Sequence, residues 1–226
     1  MNWAGRAHVF GYDIVAYSTR DHHAQKSVVA LTSAARSQAK AATADPDPVW
    51  CDAGDGGYLI IRGDVRSPMR ALDAFVSSVA AQNLVRDPRY RVALRYAIHV
   101  GPVEIFEENG DRQVVGDAVN ECARLLAGIP KANVGQVVAS GGYRDELVMF
   151  DPMQAPLFAK LPDTVDKHGR SHPAWNVRKA PIYGIDPEAA PDESAGGSAG
   201  AGSRPSASRS STGGRGCTAK GTCPRT

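Results

Sequence analysis

Asp13 stands inside an apolar run, Phe10-Gly11-Tyr12-Asp13-Ile14-Val15-Ala16-Tyr17. A charge in such a run is costly unless a cation or a partner satisfies it. The run, residues 9–17, reads as a first strand, so any fold must bring compensation to that strand or leave Asp13 capping a turn, the plainer role of an Asp at a strand end. Further along, Gly54-Asp55-Gly56-Gly57 separates two short apolar runs within residues 49–62, which is a hairpin signal. An Asp among glycines ordinarily shapes the turn, yet Gly54 and Gly56 also let the backbone pass close to a ligand. If the strand and the hairpin are neighbours, Asp13 and Asp55 converge. Two carboxylates and a strand carbonyl are the hard oxygen ligands that Mg²⁺ or Mn²⁺ takes beside phosphate oxygens.

The remaining pattern alternates helix and strand. Residues 21–42, rich in Ala, Gln and Lys, read as a helix. Ser67-Pro68 reads as an N-cap followed by Pro at the first helical position, opening a helix to about residue 85. Residues 91–107 read as a long strand in which Arg95, Ala97 and His99 alternate with Leu94, Tyr96 and Ile98. A helix over 117–127, a strand over 135–140, a short helix over 144–147 and strands over 157–161 and 175–182 complete the reading. The expected class is α+β, helices on a mostly antiparallel sheet, with no internal repeat.

Val115-Gly116-Asp117-Ala118-Val119-Asn120-Glu121-Cys122-Ala123-Arg124-Leu125 opens the third helix. Asn120 and Arg124 are four apart and share a helix face. That face is either a solvated one with an ion pair, Glu121 with Arg124 among the choices, or a functional one, since Asn has poor propensity in a helix interior.

Composition limits the partners. The net charge of the 226-residue chain is +2, which argues against a strong nucleic-acid or membrane partner. No apolar run nears the roughly 20 residues of a membrane span, and the first residues lack the apolar core of a signal peptide, so a cytoplasmic location is expected. Cys51 and Cys122 read as free thiols in a reducing compartment, and Cys217 and Cys223 fit no zinc pattern. Residues 187–226 contain no Val, Ile, Leu, Met or aromatic residue. Segments of that kind cannot offset their ordering entropy, so the expected division is a folded domain over 1–185 and a disordered tail over 186–226.

Taken together, the strand with Asp13, the hairpin with Asp55 and the helix with Asn120 and Arg124 resemble the class III nucleotidyl cyclases, the adenylate and guanylate cyclase family, over roughly residues 6–185. The resemblance implies a two-metal site (Mg²⁺ or Mn²⁺) held by Asp13, Asp55 and the carbonyl of Ile14. It implies that Asn120 orients the ribose and that Arg124 neutralises charge on the transferring phosphate, a task suited to a planar and permanently charged fork. Arg95-Tyr96-Ala97-Ile98-His99-Val100-Gly101 resembles the family's Arg-x-Gly-x-His-x-Gly strand, which makes Arg95 a triphosphate contact and leaves His99 as a packed strand histidine. Lys160 stands 36 residues beyond Arg124, the spacing of the family's triphosphate lysine. Its surroundings lack the family's glycine, so Lys160 and Lys167 both stand as candidates. In the family the acids and the Asn/Arg pair meet across a head-to-tail dimer, so a homodimer with composite sites is implied.

The base-selecting positions depart from the family. Where adenylate cyclases carry Lys and Asp, this chain has Cys51 and Gln113, and the guanylate pair is missing too. Trp50 adds bulk beside Cys51, unless its ring belongs to the core or a dimer interface. Loss of the purine pair with a narrowed pocket fits a smaller base. The pattern resembles the stand-alone bacterial pyrimidine cyclases of the Pycsar antiphage systems, which make cyclic UMP or cyclic CMP for a separate effector with a cyclic-nucleotide-binding domain. UTP is the expected substrate. CTP, a purine cyclase with an atypical pocket, and an inactive cyclase-like sensor or scaffold are the alternatives.

Overall fold

The computed structural model describes residues 2–165 and 171–178. The tail, Lys167, Cys217, Cys223 and the end of the expected last strand lie outside the described residues. The first strand, β1 (Trp3–Ile14), is followed by α1 (His22–Ala41), β2 (Val49–Asp52), β3 (Gly56–Ile61) and α2 (Ser67–Leu84). The second half continues through β4 (Leu94–Glu108), β5 (Asp111–Val115), α3 (Asp117–Ala127), β6 (Val137–Ser140) and α4 (Gly141–Phe150). Short strands β7 (Phe158–Lys160), β8 (Thr164–Val165), β9 (Ser171–His172) and β10 (Ala174–Val177) close it. The main sheet runs β2-β3-β1-β4-β6-β10-β7, with β5 paired to β4 off that path. Its pairings are antiparallel except β4 with β6, as the expected α+β class requires.

Alternation along β1 builds two cores. Phe10, Tyr12 and Ile14 join Leu59, Ile61, Tyr96 and Ile98 beneath Val28, Leu31 and Ala35 of α1 and Leu72, Phe75 and Val79 of α2. Ala7, Val9, Ile60, Ala97 and Val103 turn to the other face, where Ala118, Cys122, Leu125 and Leu126 of α3 cover them. The buried Cys122 thiol rests 3.8 Å from the Val9 carbonyl and 3.7 Å from that of Ala97, so α3 lies across β1 and β4. Each helix has a local cause. Asp21 caps α1 by accepting from the Ala24 amide at 2.8 Å. Gly116 turns the chain into α3 at φ 140°, and a Cβ there would sit 2.5 Å from the Pro102 carbonyl oxygen, so no other residue fits this entry.

Several boundaries differ from the sequence expectations. β1 begins at Trp3 because its pairing with β4 reaches back to Ile105, and the left-handed Ala16, at φ 56°, ends it before Tyr17. Ser67 is not the N-cap of α2. Arg66 holds that place without a side-chain cap, and the buried Ser67 hydroxyl accepts from the Ala44 amide at 3.1 Å. The unassigned strand β5 returns through Asn109 (φ 56°) and Gly110 (φ 85°), the two left-handed positions of a tight hairpin turn. The helix expected over 144–147 is α4, capped by Ser140, whose hydroxyl accepts from the Tyr143 amide at 3.2 Å.

Candidate active site

Asp13 lies near the end of β1, opposite Gly56 of β3 on one side and Arg95 of β4 on the other. The Ile14 amide donates to the Asp55 carbonyl at 2.9 Å, which ties the hairpin turn to the end of β1. A Cβ on Gly56 would sit 2.2 Å from the Tyr12 carbonyl oxygen, so only glycine lets the strands close here. Asp55 stands exposed at this turn, near enough for its charge to act on Asp13. Burial raises the Asp13 pKa, Arg95 opposes that, and the negative charge of Asp55 adds to the rise. Among the described residues no group of three or more His, Cys, Asp or Glu side chains is placed to hold a metal. A pair of carboxylates fits a divalent ion whose remaining ligands are backbone and phosphate oxygens, and the Ile14 carbonyl, next in the chain to Asp13, is a backbone candidate.

Arg95 is committed to protein in this structure. Its guanidinium donates to the Asp13 carboxylate and to the Ile129 carbonyl, and its side chain is 11% exposed against 19% for Asp13.

The second constellation lies on α3. Asn120 is exposed and Arg124 half-buried, on the helix side turned away from Ala118, Cys122 and Leu125. Glu121 accepts from Arg124 through one oxygen and contacts His172 Nδ1 through the other at 2.7 Å. Among the described residues, no hydrogen bond or ion pair within one chain joins Asn120 or Arg124 to Asp13 or Asp55. Lys160 is farther off still. It sits on edge strand β7, four strands from β1, about 19 Å at 4.8 Å per strand. Its ammonium meets Asp163 at 2.5 Å and lies over the Trp175 ring at 5.3 Å.

The expected base-pocket residues separate by face. Cys51 packs with Tyr58, Val114 and Val119 against the α3-side cluster. Gln113 lies on β5, the strand missed in the sequence although Asn109-Gly110 marked it. The Arg112–Asp47 ion pair, at 2.7 Å, draws β5 toward the entry of β2, so Cys51 and Gln113 come from strands tied together. For Trp50 the packing supports the core alternative that the sequence leaves open. Pointing opposite to Cys51, its ring packs on the helix side against Phe10, Tyr12 and Phe75, at centroid distances of 6.4, 5.9 and 6.3 Å. Arg36 of α1 lies over it at 5.3 Å. Strand alternation puts the Trp50 ring on the face covered by α1 and α2 and Cys51 on the α3 face. His99 of β4 is half-buried and lines a small cavity with Glu121, Ser140 and His172, and burial pushes its pKa down to about 4.

No protein-family profile and no curated relative matches the chain. Solved structures do. The catalytic core of a rhodopsin–guanylyl cyclase with converted specificity, in complex with ATPαS, superposes with a TM-score of 0.60 at 14% identity, covering 79% of this chain and 98% of that one. The adenylate/guanylate cyclase/hydrolase from Silicibacter pomeroyi gives 0.59 at 17% identity, over 80% and 100%. The guanylyl cyclase Cya2 gives 0.57 at 13%, over 77% and 92%. The fold is that of the adenylate and guanylate cyclase catalytic domains, in agreement with the class III architecture expected from the motifs. Among the described residues no helix is long and apolar enough to cross a membrane.

Proposed function

We propose that this chain is a nucleotidyl cyclase that converts a pyrimidine nucleoside triphosphate, UTP ahead of CTP, into the 3′,5′-cyclic nucleotide and pyrophosphate. The observation that carries the reading is the placement of Asp13 at the end of β1 beside the Asp55 turn, tied by the Ile14–Asp55 backbone bond and close enough for one charge to act on the other. Divalent ions bound there would acidify the ribose 3′-hydroxyl and hold the triphosphate. The rest falls to side chains. Asn120 orients the ribose, and Arg124 balances charge on the α-phosphate as the 3′-oxygen attacks and pyrophosphate leaves. Positioning and charge dominate such a step.

Asn120 and Arg124 face away from their own α3 core and, among the described residues, make no hydrogen bond or ion pair with the acids of the same chain. We therefore assign the working site to a head-to-tail homodimer in which each active site takes its acids from one subunit and its Asn/Arg pair from the other. Lys160 on the far edge strand fits the same arrangement as a triphosphate contact.

The base preference rests on Cys51 and Gln113, the Trp50 ring being packed on the opposite face. Neither adenylate nor guanylate pair is present, and the Gln113 amide can serve uracil or cytosine by flipping. The similar rhodopsin–guanylyl cyclase core of converted specificity is a precedent for a changed base on this fold. The biological role we infer is second-messenger synthesis in antiphage defence, acting through a cyclic-nucleotide-gated effector in the cytoplasm. Incubation with Mn²⁺ and an equal mixture of four NTPs, followed by mass spectrometry, tests the chemistry. Cyclic UMP is the expected main product. Cyclic AMP or cyclic GMP as main product overturns the base assignment, and no cyclic product overturns the cyclase.

A further inference from the structure

The Arg95–Asp13 pair occupies the carboxyl to which the proposed function gives a divalent cation. Residue Arg95 is 9% exposed overall, and it faces Asp13 directly across the β1–β4 ladder. One terminal nitrogen serves Asp13 and the other serves the Ile129 carbonyl just after α3. Its Nε is buried without a partner. What sets the pair apart is its place: the fork holds the one carboxyl that lies in the strand next to the Asp55 turn.

We propose that Arg95 is an exchangeable counter-ion, an inference that rests on the cyclase reading above. In the nucleotide-free protein it neutralises Asp13, which is otherwise a half-buried carboxylate next to the like charge of Asp55. When a divalent cation arrives with the triphosphate, the cation takes over Asp13. Arg95 is then released toward the phosphate oxygens, a short change of partner for a fork that suits carboxylate and phosphate equally. The metal-free site is held shut by the group that later holds the substrate, so bare cations bind weakly and cation with nucleotide binds well.

The exchange separates from its rivals by sign. Arg95→Met removes the competitor for Asp13, so Mn²⁺ should bind the nucleotide-free protein about tenfold tighter, read by electron paramagnetic resonance. The same substitution removes a phosphate ligand, so 3′-deoxy-UTP, which cannot cyclise, should bind about tenfold more weakly at saturating Mn²⁺. A brace would weaken both constants when lost, and a fixed phosphate contact would leave the Mn²⁺ constant unchanged. Either outcome overturns the proposal. Lys131 also acts on Asp13 through its charge but makes no contact with it among the described residues, so Lys131→Met should shift Mn²⁺ affinity less than twofold. An equal shift from Lys131→Met means a diffuse field and overturns the exchange. Should Arg95→Met fold poorly, Arg95→Lys keeps the charge while giving up the fork, and about threefold tighter Mn²⁺ binding is expected. No change there also overturns the proposal. If the unmutated protein binds no nucleoside triphosphate, the cyclase reading fails. If it binds one and Arg95→Met leaves Mn²⁺ affinity unchanged, the exchange alone fails.

Discussion

Replacing Trp50 with alanine separates two roles that one position on β2 could serve. The indole packs against Phe10, Tyr12 and Phe75 and beneath Arg36, and its N–H donates to the Arg36 carbonyl at 3.4 Å. Truncating a buried Trp or Phe to Ala costs about 3–5 kcal/mol. Trp50 is only partly buried, so the low end applies, about 3 kcal/mol, including roughly 0.5–1 kcal/mol from the Arg36 contact. For a domain of this size that corresponds to a loss of roughly 6–12 °C in Tm, at 2–4 °C per kcal/mol. Circular dichroism during urea and thermal unfolding measures it, and Trp50→Phe should recover most of the loss. The ranking of the four NTPs should stay as in the unmutated protein, because the ring faces away from Cys51. A Trp50→Ala protein within about 0.5 kcal/mol of the parent, with purines newly accepted, would refute this placement and return Trp50 to the base pocket.

The other predictions follow from the same geometry. Gly56→Ala should lower both stability and turnover, since its Cβ would meet the Tyr12 carbonyl at 2.2 Å and push Asp55 from Asp13. Normal turnover and an unchanged unfolding midpoint would contradict that close approach. Asp55→Asn should abolish cyclic product while leaving the unfolding midpoint near that of the parent, because it removes a charged metal ligand, and near-normal turnover with Mn²⁺ would refute its role. The His99 pKa is pushed down to about 4 by burial, against about 6.5 in an unfolded chain. Between those values the unfolded state binds the proton, so stability falls as pH drops from 6.5 toward 4. His99→Gln should flatten that part of the urea midpoint–pH curve, and an unaltered slope would show that His99 titrates normally.

Local signals made much of the fold legible. The apolar alternation of β1 and the glycine cluster after β2 are contiguous patterns that mark Asp13 as a strand residue and Asp55 as a turn residue, while their adjacency comes from the β1–β3 pairing. The Asn120–Arg124 spacing likewise fixes a shared helix face once α3 is recognised. What escaped depends on parity or on distant partners. Whether Trp50 or Cys51 faces α3 turns on a one-residue register, and the aromatic bulk of Trp50 was equally compatible with a pocket and a core. Arg95 finds Asp13 across 82 residues of sequence, so its phosphate-like spacing alone could not reveal the carboxylate it holds. β5 was overlooked although Asn109-Gly110 is a strong hairpin signal, because the polar stretch around it hides a strand of half-exposed residues. Ser67 looked like a cap, yet its hydroxyl is used by the Ala44 amide from a different segment.

Composite sites are the central claim, and mixing two inactive chains tests it most directly. Asp13→Asn lacks a metal ligand, and Arg124→Ala lacks the phosphate-neutralising fork, so each homodimer should make no cyclic nucleotide. In a heterodimer, one site pairs the intact acids of the Arg124→Ala chain with the intact Asn120 and Arg124 of the Asp13→Asn chain. With random exchange of equal amounts, half of the dimers are heterodimers with one of two sites restored, so about one quarter of parental activity is expected under the two-fold arrangement. A mixture that stays inactive, while native mass spectrometry shows the subunits exchanging, would contradict the account.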